Sequence, residues 1–221
     1  MKTPSLDPKS RHAVAWTVGL SLTVVALMVL AIVLKTLADR PTLKQQLELV
    51  NGVLFDSPRQ VPDVTLMRHD GAAFTPVQWQ GKWDLITFGF TYCPDVCPTN
   101  MADMNIAHQQ LTALGLADRV RFWMVTVDPE RDSAAQLSLY VPYYNAEFIG
   151  LTGADDQLAL LATQLNAVYF REGEGDDYTI AHSDNFAIVD PKGHLTTLLR
   201  PPHKPSHITD ALALLMNGYA P

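Results

Sequence analysis

The hydrophobic and polar positions of this chain fall into three regimes. From Ala13 to Leu34 runs AVAWTVGLSLTVVALMVLAIVL, 22 residues without a charge. As a helix rising ~1.5 Å per residue it would span ~33 Å, enough for the core of a bilayer. We read it as an uncleaved transmembrane anchor: a secretory signal has a shorter apolar region of ~7–15 residues, and no small-x-small cleavage site closes this stretch. Residues 35–60 mix charge, Pro41, a weak helical stretch (LKQQLELV) and SPRQVP without a strong period, which predicts a linker. From Val61 to the end at 221 the pattern becomes short apolar runs alternating with helical spacing, the mark of a folded domain.

Within that domain, Val64–Met67, the turn signal His69-Asp70-Gly71 and Ala72–Thr75 predict an antiparallel hairpin. WDLITFGF is nearly continuously apolar and suits a strand buried on both faces. A helix fits from about Pro98 to Leu114, with Met101, Met104, Ala107, Leu111 and Leu114 on one face and Gly115 as its stop. VRFWMVTV is a second buried strand, giving a βαβ unit. Ser133 with Gln136 resembles a capping box for a helix to about Tyr144, and Asp155 or Asp156 opens another through Asn166. NFAIVD, the Pro191-Lys192-Gly193 turn and HLTTLL predict a closing hairpin, and Ser206 is expected to cap a last helix to Met216. The expected class is α/β or α+β with a thioredoxin-like arrangement: a mixed central sheet flanked by helices, an extra hairpin in front, an insertion from about Phe148 to Ile180, and one transmembrane helix ahead of it all.

Charge sharpens the picture. The net charge is −7, but residues 1–35 carry +3 and residues 36–221 carry −10. Lys2, Lys9 and Arg11 against Asp7 put residues 1–12 in the cytoplasm by the positive-inside rule. The acidic domain then faces the periplasm from a bacterial inner membrane, or the mitochondrial intermembrane space. Its charge argues against nucleic acid as a partner. Both compartments allow a nearby thiol pair to oxidise unless something reduces it.

The whole chain has two cysteines, Cys93 and Cys97, in CPDVCP, after a buried strand and at the opening of a helix. Free N–H groups and the positive end of the helix dipole lower a thiol's pKa there, and thiolate is both nucleophile and metal ligand. Three residues separate the pair, against two in thioredoxin-type oxidoreductases. At that spacing both sulfurs can reach one ion or each other, and spacing alone does not choose. A purely structural disulfide closing so small a loop would add at most ~2 kcal/mol.

Two thiolates favour Cu(I) and suit zinc, with imidazole as the usual further donor. Candidates are His69, His108, His182, His194, His203 and His207; His12 lies on the other side of the anchor. His108 would sit ~16 Å further along the helix than Cys97 and cannot share its ion. His194, His203 and His207 read as solvated turn or loop residues. The segment holding His182 should enter a strand beside the cysteine turn, which makes it a candidate and no more. Met101 and Met104 read as core, and Asp95 as a solvated turn carboxylate.

TFGFTYCPDVCPTNM, VTVDPERDS and AHSDNFAIVDPKG, in that order, resemble the Sco (SenC) family from about Val61 to Met216. The resemblance implies a membrane-anchored, thioredoxin-like copper protein that assists assembly of the dinuclear copper centre of cytochrome c oxidase. It implies Cys93, Cys97 and His182 as ligands of Cu(I) or Cu(II), with Cys93 and Cys97 also able to form a redox-active disulfide. The implied partners are the copper-binding subunit of the oxidase, a periplasmic copper donor and a thiol reductant. The expected activity is that of a metallochaperone acting by ligand exchange, with no catalytic residue. The alternative is a thiol-disulfide reductase that keeps the oxidase cysteines reduced. The chain departs from the family at Ala181, where many members carry an acid before the ligand histidine. Asp128–Asp132 (DPERD) is intact and reads as a loop and helix entry, with partner docking by Asp128 as the sharper alternative.

Overall fold

The computed structural model describes residues 8–38, 41–173, 175 and 177–219. The chain divides into two compact units after Thr42. The first holds one helix, α1 (Pro8–Ala38), in which the 23 residues Val14–Thr36, with a mean hydropathy of 2.6 over an 18-residue window, are long and apolar enough to cross a membrane. Residues 1–7, part of the segment expected in the cytoplasm, and the side chain of His12 lie outside the described residues.

The second unit runs α2 (Leu43–Glu48), β1 (Gly52–Gln60), β2 (Leu66–Arg68), β3 (Ala73–Phe74), β4 (Trp83–Gly89), α3 (Val96–Ala113), β5 (Val120–Thr126), α4 (Ala134–Tyr144), β6 (Ile149–Thr152), α5 (Asp155–Gln164), β7 (Tyr169–Glu172), β8 (Thr179–His182), β9 (Phe186–Val189), β10 (His194–Leu199) and α6 (Pro205–Gly218). Eight strands form one sheet in the order β1-β10-β9-β4-β5-β6-β2-β3, while β7 and β8 pair as a separate ribbon. β4 and β5 run parallel from Trp83 opposite Val120 to Gly89 opposite Thr126, and β9 is antiparallel to β4. The result is a mixed, thioredoxin-like sheet covered on both faces. That is why β4 and β5 are nearly uninterrupted apolar runs. Leu85, Phe122 and Met124 meet Met101, Met104 and Leu111 of α3 and Leu212 and Leu215 of α6 on one face. Ile86, Trp123 and Val125 meet Phe74, Trp79 and Leu158 and Leu161 of α5 on the other.

Three expectations are corrected. From Leu43 onward the stretch read as a linker folds with the domain: β1 pairs antiparallel with β10 at the sheet's edge. Its register breaks between Leu54 and Arg59, around Pro58, which gives no ladder hydrogen bond; an edge strand tolerates that, and no alternating pattern survives in the sequence. The last helix starts with Pro205 at its first position and Lys204 as cap, so Ser206 lies inside it. The region expected as an insertion supplies β6 to the main sheet, parallel to β5, as well as β7. Ser133 does cap α4, its Oγ accepting from the Gln136 N–H at 3.2 Å, but the Gln136 side chain donates to Thr91 Oγ1 at 3.3 Å instead of closing the box.

Candidate metal centre

β4 delivers the chain to the site through Phe90, Thr91 and Tyr92. The buried Asp132 carboxylate holds this stretch, accepting from Thr91 N at 3.0 Å, Thr91 Oγ1 at 2.6 Å and Thr126 Oγ1 at 2.7 Å. The chain then turns, with Cys93 N donating to Phe90 O at 3.2 Å, and enters α3 at Val96. Cys93 is thus in the turn and half-buried, while Cys97 is buried in the first turn of the helix. Cys97 fits because Gly89 has no side chain: a Cβ there would stand 2.9 Å from the Cys97 sulfur.

His182, the last residue of β8, completes the group. Its Nε2 is 3.6 Å from Cys97 Sγ, and the donor atoms of Cys93, Cys97 and His182 all lie within 4.8 Å of one another. Among the described residues this is the one cluster of three or more His, Cys, Asp or Glu side chains able to hold an ion. A three-coordinate ion with bonds of about 2.0–2.3 Å separates its donors by roughly 3.5–4 Å, so small side-chain adjustments would close this group on a soft metal. Nδ1 of His182 is 3.1 Å from the Ser183 carbonyl. A carbonyl only accepts, so Nδ1 carries the proton and the Nε2 lone pair faces the sulfur. The Phe90 ring stands edge-on to the imidazole at 6.1 Å and gives the site an apolar wall.

The two thiols divide one proton unequally. The Cys97 thiol donates to the Cys93 sulfur, against the cost of burial, and the N–H groups of Asp95 and Cys97 add to the effect, so that Cys93 is lowered to about 5. Cys97 is raised, by that same hydrogen bond first and by burial second. The first proton leaves the pair, and Cys93 carries the charge. In the reduced, metal-free protein iodoacetamide is therefore expected to modify Cys93 first. The rate should be flat through neutral pH and fall only as the pH drops toward about 5. A midpoint near the ordinary thiol value of ~8.5, or preferential labelling of Cys97, contradicts this.

None of the other candidate histidines joins the cluster. His69 Nδ1 accepts from Gly150 N at 2.9 Å. His108 lies edge-on to the rings of Phe122 and Phe148. His194 is 3.9 Å from Asp190. His203, expected to be a solvated loop residue, has a side chain only 3% exposed, stacked on Phe186; its flanking prolines disguised it. Met101 and Met104 are buried in the core and Asp95 is exposed. Asp128 is buried and taken up by Arg131 Nε at 2.5 Å and the Tyr178 hydroxyl at 2.6 Å. That internal bonding suits the loop-anchoring reading and leaves no free face for docking.

A family model described as SCO1/SenC matches residues 56–217. A Stutzerimonas stutzeri protein described as copper-binding is 38% identical over 181 residues, which cover 80% of this chain and 86% of that one. The mitochondrial SCO2 homologue of Bos taurus is 33% identical over 160 residues, covering 71% of this chain but only 60% of that protein's length. Among solved structures, copper-bound ScoI of Arabidopsis thaliana superposes with a TM-score of 0.67 at 29% identity, over 72% of this chain and 98% of that one.

Proposed function

Because the chain belongs to the SCO1/SenC family, we propose that it is a copper metallochaperone: Cys93, Cys97 and His182 hold Cu(I) as cargo and pass it to the dinuclear copper centre of a cytochrome c oxidase. The observation that carries this reading is the approach of two sulfurs and one imidazole nitrogen to within 4.8 Å. Two thiolates and an imidazole form a soft donor set that suits Cu(I). Phe90 and the buried position of Cys97 keep water from the ion on the protein side. Cys93 and His182 are both half-buried and leave an open side from which an incoming donor can displace one bond at a time. Cu(II) is a second state the same donors can hold. On this reading α1 is the anchor, and the domain faces the periplasm or intermembrane space, where the copper-binding subunit of the oxidase and a copper donor are met.

One observation favours a second reading. The lowered Cys93 thiol is a nucleophile at neutral pH. It could attack a disulfide of the oxidase subunit to form a mixed disulfide. Cys97 would then resolve it, leaving the Cys93–Cys97 disulfide and a reduced partner dithiol for a further thiol reductant to reset.

Anaerobic titration of the reduced full chain in detergent with Cu(I), against a chelating competitor, separates the two. The expected result is one tight equivalent, weakened about tenfold or more in His182→Ala, and its transfer to the copper-binding domain of an oxidase subunit. A wild-type protein that holds no Cu(I) against the competitor, while reducing that domain's disulfide through both cysteines alone, sinks the chaperone reading and leaves the reductase.

A further inference from the structure

The aim of the His182 ring depends on residues outside the Cys93, Cys97 and His182 cluster. β8 is not part of the main sheet, and the residue before the histidine is Ala181, which offers the ring no polar side chain. What holds the ring is the carbonyl of Ser183, which takes its Nδ1 proton. Ser183 is itself bonded to the ribbon: its N donates to Val168 O at 2.8 Å and its Oγ accepts from Val168 N at 3.0 Å. Those bonds move with the ribbon and cannot fix it to the domain.

The next residue does fix it. Asp184 Oδ1 accepts from Asn100 Nδ2 at 2.5 Å, and the Asp184 carbonyl accepts from His203 Nε2 at 2.6 Å. Asn100 is 4% exposed and lies three residues after Cys97 on α3, one helical turn from the sulfur that His182 faces. His203 is held flat on Phe186 with ring centroids 3.8 Å apart and planes at 7°. Its Nε2 must carry a proton, since the acceptor is a carbonyl. One side chain grips the carboxylate and the other the main chain, so the peptide that leaves Ser183 has its orientation set from two elements of the main domain.

We propose that Asn100 and His203 are positioning residues for the metal site: by clamping Asp184 they orient the Ser183 carbonyl, and through it select the tautomer and direction of His182. This rests on the reading of Cys93, Cys97 and His182 as copper ligands. Outer contacts of this kind commonly change metal affinity by about 10–100-fold, because a ligand must be held within about 0.5 Å of its working position.

The test uses the full chain in detergent and the variants Asn100→Ala, His203→Ala and His203→Gln, the last keeping an N–H donor. Two quantities are read: Cu(I) affinity against a competitor, and the His182 tautomer in the reduced, metal-free protein from nitrogen–proton correlation of its imidazole. Both alanine variants are expected to lose about tenfold in affinity and to show a mixture of tautomers where the wild type shows the Nδ1–H form. His203→Gln should recover most of both. A general loss of stability would not redistribute the tautomer of one ring in a protein that still folds. Alanine variants with wild-type affinity and a wild-type tautomer overturn the proposal. Should His203→Ala not fold, Asn100→Ala and His203→Gln decide it by the same readouts. If the wild type holds no Cu(I), the copper reading fails, while the tautomer comparison still decides the clamp.

Discussion

Alanine in place of Gly89 is expected to remove tight Cu(I) binding from a protein that remains folded. The added Cβ would meet Cys97 Sγ at 2.9 Å, with Met124 Cε at 3.5 Å and Cys97 Cβ at 3.6 Å. The first separation is too short to keep, and the atom that can yield is the sulfur, which ends a side chain with one torsion. Moving it off its present rotamer costs about 1 kcal/mol, which a domain of this size absorbs. The same rotation carries the sulfur away from Cys93 and from His182, so the site loses a donor. Affinity is expected to fall by about a hundredfold or more, ~2.7 kcal/mol, approaching the loss in Cys97→Ser. Competitor titration beside a thermal melt measures both halves. Wild-type affinity in Gly89→Ala would show that the sulfur has room the packing does not suggest.

Asp84→Ala is expected to have the largest effect on stability, with no residue of the site touched. Asp84 is fully buried in β4 and accepts from Arg121 Nε at 2.7 Å, Arg121 Nη2 at 2.8 Å and Trp123 Nε1 at 2.6 Å, all from β5. Removing the carboxylate leaves the buried indole N–H without an acceptor and the guanidinium without its counter-charge. Leaving the buried indole without an acceptor and a partly exposed arginine without its partner costs about 3 kcal/mol, or on the order of 10 °C in Tm for a domain of this length. Asp84→Asn keeps an acceptor and should lose clearly less. A Tm within about 2 °C of wild type in Asp84→Ala would mean that water replaces the carboxylate, which a site this deep in the sheet makes hard to supply.

The sheet and the site were legible to different depths. β4, α3, β5 and the hairpin of β9 and β10 could be read because their burial is periodic or complete. The thiol pair could be read because its place between a buried strand and a helix carries its own chemistry. His182 could be reached only as one candidate among six until the resemblance selected it, since an imidazole leaves no mark on hydrophobic periodicity. β1 was hidden by being an edge strand with Asp56, Ser57 and Pro58 in its middle. The clamp was hidden for a different reason: Asn100 and His203 are polar residues whose burial depends on partners 84 and 19 positions away, and no local pattern reports a contact of that kind.

The separation of β7 and β8 from the main sheet bears on the order in which bonds to a cargo ion are made and broken. Both sulfurs ride on the junction of β4 and α3, whereas the imidazole rides on a ribbon joined to the domain by side chains: Tyr178, packed under the Arg131 guanidinium with its hydroxyl on Asp128, Ile180 in the core, and the Asp184 clamp. A two-stranded ribbon has little stability of its own, so swinging the imidazole aside disturbs no ladder of the sheet, while withdrawing a sulfur disturbs the helix start. Release would therefore begin at the nitrogen. The ion would be left for a moment on two sulfurs, open to a new donor on one side only. On the copper reading, handover from such a site would have a direction built into it: the arm would leave first, the acceptor would enter where the arm was, and the thiolates would let go last.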